Sequence, residues 1–184
     1  LGLAIRQSNL CSEITLATNE ERTAVCCLSS VNLEHFDKWS KDPQFIEDLI
    51  TMLDNVIEHY IENAVDTSQL GGYSANFKRF TKYIKEGKEG YAKSAYSAYR
   101  ERSVGLGAMG FHAYLQSQNI AFESIYATGF NHRAFKHIKS KAIQATERLA
   151  DMRGECPDLH NTNRRNAHLI AIAPNASSGI ICSG

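Results

Sequence analysis

Gln7-Ser8-Asn9-Leu10-Cys11-Ser12-Glu13-Ile14 places an amide, a thiol and a carboxylate at alternate positions, Asn9, Cys11 and Glu13. In extended backbone, successive side chains point to opposite faces, so all three would share one side. A half-buried strand ordinarily carries apolar residues on such a face. Three chemically active groups there point to a reactive centre, although a single cysteine is more often a small buried hydrophobe. Outward from this stretch, Ile14-Thr15-Leu16 and Thr23-Ala24-Val25-Cys26-Cys27-Leu28 are rich in apolar and β-branched residues. They predict two strands joined by the polar Ala17–Arg22, with a turn at Asn19.

Downstream the pattern is mostly helical. Asp42-Pro43 supplies an N-cap and a proline at the first helical position. Ile46, Leu49, Ile50, Leu53, Val56, Ile57, Tyr60, Ile61 and Ala64 then recur at three- and four-residue steps, predicting a long amphipathic helix to about Val65. Asp66–Tyr73, with Gly71-Gly72, is expected to be a loop. Phe77, Phe80, Tyr83 and Ile84 suggest a short helix before Gly87, and Gly90–Tyr99 fits either a loose connection or another short helix. Val104–Gln116 is expected to be helical despite three glycines, each costing about 1 kcal/mol relative to alanine. Phe135, Ile138, Ala142, Ala145, Leu149 and Met152 form a second apolar stripe, closed by Gly154 and then Pro157. Leu169–Ala173 reads as a buried strand that delivers the chain into Pro174-Asn175-Ala176-Ser177-Ser178-Gly179.

Bulk properties exclude several classes. The chain has 184 residues, 43% hydrophobic and 22% charged, an ordinary globular balance. Lys+Arg and Asp+Glu each total 20, which proposes neither a polyanionic partner nor a membrane surface. No apolar run approaches the roughly 20 residues needed to span a bilayer, and the first residues lack a secretory pattern. Five cysteines without a C-x-x-C pair suit neither a disulfide scaffold nor a zinc ribbon, and reduced thiols in a cytoplasmic protein are the simplest reading. The start without methionine and the end at Ser183-Gly184 suggest a piece of a larger protein, a single partial domain over 1–184.

Four motifs carry a resemblance to a known family. Q-S-N-L-C-S-E-I at Gln7–Ile14, A-V-C-C-L-S-S-V-N-L at Ala24–Leu33, R-E-R-S-V-G-L-G-A-M-G-F-H at Arg100–His112 and I-A-P-N-A-S-S at Ile172–Ser178 occur in that order. Together they resemble the large catalytic subunit of ribonucleotide reductases, and their wording is more similar to the class I, diphosphate-reducing branch. The resemblance implies part of a ten-stranded α/β barrel with the reactive cysteine on an inner loop, this segment being mainly helical with a few short strands. It implies reduction of ribonucleoside diphosphates by thiyl-radical chemistry. Cys11 would carry the radical, Glu13 would be the general base, and Asn9 would orient the sugar hydroxyls. Leu10 and Ser12 would line the substrate with them. Cys26, not Cys27, matches one member of the family's redox pair, and adjacent strand residues face opposite ways. The second redox cysteine is expected outside this chain. Pro174, Asn175, Ala176, Ser177 and Ser178 match the family's phosphate-binding loop; some relatives carry an acidic residue at the position of Ala176.

The same resemblance implies no cofactor or metal bound by this chain. It implies a radical from a metal-containing small subunit, an external thioredoxin- or glutaredoxin-type reductant, the remaining large-subunit segments and a homo-oligomer when complete. The segment alone is expected to be inactive. Two alternatives stand beside it: a non-catalytic assembly fragment that binds complementary chains, and part of a cobalamin-dependent reductase. Gly105-Leu106-Gly107-Ala108-Met109-Gly110 satisfies G-x-G-x-x-G, but Arg100–Ser103 before it is no apolar strand, so a dinucleotide site is rejected. His132 and His137 have no carboxylate arranged with them as a metal site. Tyr91, Tyr96 and Tyr99 are not assigned a radical path.

Overall fold

Two short parallel strands position everything else. The computed structural model describes residues 2–64 and 91–182. In it β1 (Cys27–Asn32) pairs with β2 (Val104–Met109), from Cys27 opposite Val104 to Asn32 opposite Met109. Parallel strands need a long crossover. Here it contains a 3-10 turn (Leu33–His35), α1 (Phe36–Trp39), α2 (Phe45–Ala64) and α3 (Ala92–Glu101). After β2 come α4 (Phe111–Ser117), the long α5 (Ile125–Arg153), a 3-10 turn (Pro157–Leu159) and α6 (Ala176–Cys182).

The two faces of the strand pair differ. Cys27 and Val31 of β1, with Val104 and Leu106 of β2, pack into the main core beside Ile50, Leu53 and Ile57 of α2 and Ile138 and Ala142 of α5. The opposite face carries Leu28 and Ser30 beside Gly105 and Gly107. A Cβ built on Gly105 would lie 2.5 Å from Leu28 Cδ2 and 2.8 Å from Ala171 Cβ, and one on Gly107 would lie 2.5 Å from the Ala171 carbonyl oxygen.

Several expectations are corrected. Val104–Gln116 is not one helix: its first six residues are β2, and only Phe111–Ser117 is helical. The glycines that would burden a helix are what lets the 169–173 segment approach β2. Gly110 marks the break, at φ +71°, where a Cβ would fall 2.1 Å from Asn32 Oδ1. Ile14–Leu16 is no strand; only Thr15 bridges, antiparallel, to Ser8. The second predicted strand begins at Cys27 rather than Thr23 and runs on to Asn32. Leu169–Ala173 forms no regular strand, although the His168 and Leu169 carbonyls accept hydrogen bonds from Val104 and Leu106 N–H at 3.1 and 2.9 Å. Met152 is exposed rather than part of the α5 stripe. The long helix is borne out but begins at Phe45, so Asp42 is not its N-cap and Pro43 not its first residue; Asp42 Oδ1 accepts from Gln44 N–H at 2.9 Å in the turn ahead of it. The open segment around Tyr91–Tyr99 is the helix α3. The expected loop at Asp66–Tyr73 and short helix from Phe77 lie outside the described residues.

A buried ionic cluster ties the helices together behind the strands. Asp54 of α2 has no solvent exposure and accepts from Arg102 Nε at 2.7 Å, Arg153 Nη1 at 2.8 Å, Arg165 Nε at 3.4 Å and Asn166 Nδ2 at 3.1 Å. Burial opposes its charge, but Arg102, then Arg165 and Arg153, hold the carboxyl below the usual carboxylate range. Arg102 sits in the left-handed region at φ +46°, immediately ahead of Ser103 and β2, so the cluster fixes where that strand begins.

Candidate active site

The Ser8–Thr15 stretch is a hairpin-like loop, not an extended segment. Asn9 N–H donates to the Ile14 carbonyl at 3.1 Å, and Ser12 N–H donates to the Asn9 carbonyl at 3.0 Å. Ser12 takes φ +59°, which turns the chain at its tip. The alternation argument for Asn9, Cys11 and Glu13 therefore fails as geometry. Leu10, Cys11 and Ser12 stand exposed at the tip, while Asn9 and Glu13 are half-buried at its base. Alternation assumed one backbone conformation through all three residues, and the turn at Ser12 breaks it.

The base of this loop rests on the face of the strand pair opposite the main core. Ile14 and Leu16 cluster with Ala171, and Ala24 and Cys26 pack against them. Cys27 instead packs into the main core, although both cysteines line one cavity with Val25 and Ser103, so the two thiols are not fully separated. Glu13 Oε2 is buried without a hydrogen-bond partner, and the Glu13 charge acts on Cys26. An unpartnered buried carboxylate oxygen is costly and calls for a donor. Burial, and then Cys27, Glu13 and Glu101, push the Cys26 thiol up to about 12, so it is held protonated. Burial also raises Cys27.

Pro174, Asn175 and Ser178 line a third part of this face. With Leu28, Ser29, Ser30, Met109, Ala173 and Cys182 they enclose a cavity of about 550 Å³. Ala176 and Ser177 begin α6 and are exposed. Asn175 Nδ2 donates to the Ala173 carbonyl at 2.9 Å and more weakly to that of Ala108 at 3.4 Å, pinning the loop to the end of β2. Ser29, Ser30 and Met109 were not anticipated; only the pairing of β1 with β2 brings them beside Pro174. Ser103 was missed too. Its hydroxyl lies between Glu101 Oε2 at 3.1 Å and His168 Nδ1 at 2.9 Å, and Glu101 Oε1 accepts from Arg22 Nη2 at 2.8 Å. Among the described residues no group of three His, Cys, Asp or Glu side chains could hold a metal ion, and no helix is long and apolar enough to cross a membrane.

The chain has counterparts among known proteins. The family model for the ribonucleotide reductase barrel domain matches residues 2–165. The chain belongs to the ribonucleotide reductase barrel family. This reductase segment is 45% identical over 98% of its length to the ribonucleoside-diphosphate reductase large subunit of Invertebrate iridescent virus 3, of which it covers 25%. It is also 45% identical to a putative large subunit from Frog virus 3, covering 28% of that protein. It thus spans about a quarter of the length of these curated relatives. The solved Actinobacillus ureae class Id ribonucleotide reductase alpha subunit superposes with a TM-score of 0.81 at 35% identity, over 97% of this chain and 30% of that one. The reductase segment is therefore part of an α/β barrel, mostly helical with few strands. The face bearing Leu28, Ser30, Gly105 and Gly107 is the one turned away from the main core.

Proposed function

We propose that this segment supplies the reactive loop and part of the substrate pocket of a ribonucleoside-diphosphate reductase large subunit. The barrel would be ten-stranded, and residues 1–184 one partial domain of it. The observation that carries the reading is Glu13: a buried, unpartnered carboxylate oxygen at the root of the exposed Cys11 turn, acting on Cys26. Replacing a ribose 2′-hydroxyl by hydrogen is difficult at an unactivated carbon. A Cys11 thiyl radical removes the 3′ hydrogen, Glu13 takes the 3′-hydroxyl proton, and the 2′-hydroxyl leaves as water. Two electrons and two hydrogens come from Cys26 and a second thiol elsewhere in the large subunit, which close to a disulfide. Cys11 then returns its hydrogen to the 3′ carbon. Asn9 holds the sugar hydroxyls, with Leu10 and Ser12 beside it.

The diphosphate fits the cavity at Pro174–Ser178, where hydroxyls and free N–H groups at the start of a helix favour anions. Ala176 offers no carboxylate to contact the base. The segment itself binds no cofactor. The radical comes from a metal-containing small subunit, a reading favoured over cobalamin because the solved neighbour is named class Id. An external thioredoxin- or glutaredoxin-type dithiol restores the redox pair, the other large-subunit segments complete the barrel, the whole forms a homo-oligomer, and it works in the cytoplasm. The segment alone does not turn over.

Cys11→Ser in the complete enzyme tests the central step. A hydroxyl cannot replace the thiyl radical, so reduction of cytidine diphosphate should vanish while subunit assembly, measured by light scattering, persists. Activity within about tenfold of the parent would sink the assignment.

A further inference from the structure

We infer that the Ser30 hydroxyl of β1 is a further substrate contact, donating to the diphosphate in the cavity that Ser30 lines with Pro174, Asn175 and Ser178. The inference rests on this cavity being the diphosphate site and adds a strand residue to a site otherwise built from a loop.

Strand geometry aims the hydroxyl. Leu28 and Ser30 stand two apart on β1, opposite Gly105 and Gly107 of β2, so they share a face. A Cβ on Gly105 would meet Leu28 Cδ2 at 2.5 Å, and one on Gly107 would meet Ser30 Oγ at 3.3 Å. Ser30 thus points away from the main core, beside a bare glycine. The same Cβ on Gly107 would lie 3.4 Å from Ile172 Cα, which places Ser30 next to the segment that runs into Pro174. Asn175 Nδ2 then reaches back to the carbonyl of Ala108, the residue after Gly107, at 3.4 Å.

What this hydroxyl lacks is a partner. Serines at the helix ends satisfy themselves locally: Ser117 Oγ donates to the Tyr114 carbonyl at 2.8 Å, and Ser124 Oγ to that of Ala121 at 2.6 Å. Extended backbone offers no carbonyl three or four residues back for such a bond. Among the described residues none hydrogen-bonds the Ser30 hydroxyl, which is half-buried at the cavity wall. No acidic side chain of the described residues lines that cavity, so none repels an anion there. Asn175 Nδ2 is already engaged by two carbonyls. Ser30 and Ser178 are left as the hydroxyl donors. Phosphate oxygens only accept, and a hydrogen bond to a charged acceptor is about twice as strong as a neutral one.

Placement on a strand fixes what the contact does. β1 is held to β2 from Cys27 to Asn32, so Ser30 presents its donor from a rigid element rather than from a loop. The phosphates do not react, so a bond to them is the same in the bound substrate and in the transition state. Such uniform binding lowers KM and leaves kcat unchanged. Phosphate oxygens are also common to every ribonucleoside diphosphate. The contact therefore tightens all of them alike and carries no base preference.

Steady-state reduction of cytidine, uridine, adenosine and guanosine diphosphates by the complete large subunit with its small subunit tests this. Ser30→Ala should raise KM about tenfold for every substrate, the loss expected of one hydrogen bond to a charged group. Its kcat should stay within about twofold of the parent. Ser30→Thr keeps the hydroxyl and should keep KM within about twofold as well. Ser178→Asp sets a carboxylate into the same cavity and should raise every KM by about tenfold or more. Parental KM values in Ser30→Ala, a loss confined to one base, or a fall in kcat without a rise in KM overturn the Ser30 contact alone. So does a Ser30→Thr enzyme as impaired as Ser30→Ala. Parental KM values in Ser178→Asp overturn the reading of the cavity as the diphosphate site, and the Ser30 contact with it.

Discussion

Cys26 and Cys27 are neighbours in the chain and line one cavity, yet their apolar contacts differ. Cys26 packs with Ile14, Leu16 and Ala171 under the reactive loop, and Cys27 with the helical core. During one turnover without reductant, peptide mapping should find Cys26 in the disulfide and Cys27 as a free thiol; Cys27 in the bridge, or neither cysteine oxidised, would refute the assignment. Only the difference in their apolar packing was open to a reading by alternation, which holds wherever backbone is extended. The same reasoning failed at Asn9, Cys11 and Glu13. A positive φ at Ser12 is a local choice that no spacing rule reveals, since non-glycine residues adopt it rarely. Ser103 was illegible for another reason: its partner His168 is 65 residues away, and only the fold joins them.

At the scale of elements, the clearest misreading was Val104–Gln116. Glycine at 105, 107 and 110 weakens helix and strand propensity alike, so local preference could not decide between them. Packing decides it. Gly107→Ala would drive a Cβ to 2.5 Å from the Ala171 carbonyl oxygen, a backbone atom that cannot rotate away. It should cost about 1–3 kcal/mol. Gly129 offers the contrast: it lies within α5 with nothing within 4 Å of a built Cβ. Gly129→Ala should stabilise by about 0.5–1 kcal/mol through helix propensity. Urea midpoints of the two variants, on opposite sides of the parent, check both. The long helices α2 and α5 were legible because their apolar stripes repeat over many turns and no single residue has to decide them.

For the molecule as a whole, Asp54 of α2 ties together Arg102 at the C-cap of α3, Arg153 at the end of α5 and Asn166 in the loop after it. A charged residue inside the Ile50, Leu53, Ile57 stripe was the available sign of a buried network, though not of its partners. Asp54→Asn leaves buried guanidinium groups without their carboxylate and should cost about 3–5 kcal/mol. The pH dependence follows from the direction of its shift. Because the folded carboxyl titrates below its unfolded value of about 3.9, its contribution is complete above that value. It fades as pH falls through the folded one. Denaturant titrations below about pH 4 should show the parent losing this increment and Asp54→Asn lacking it.

The cluster also sets an order of events. Its arginines stand 48, 99 and 111 residues beyond Asp54 in the chain. A chain emerging from the ribosome has only Arg102 to offer until Arg153 and Arg165 have been made. Because segments fold as they emerge, α2 and α3 can meet early but cannot seal the aspartate between them. Closing contacts of such long separation is slow, so the nascent barrel wall stays open, and in need of shelter, until its last arginine arrives.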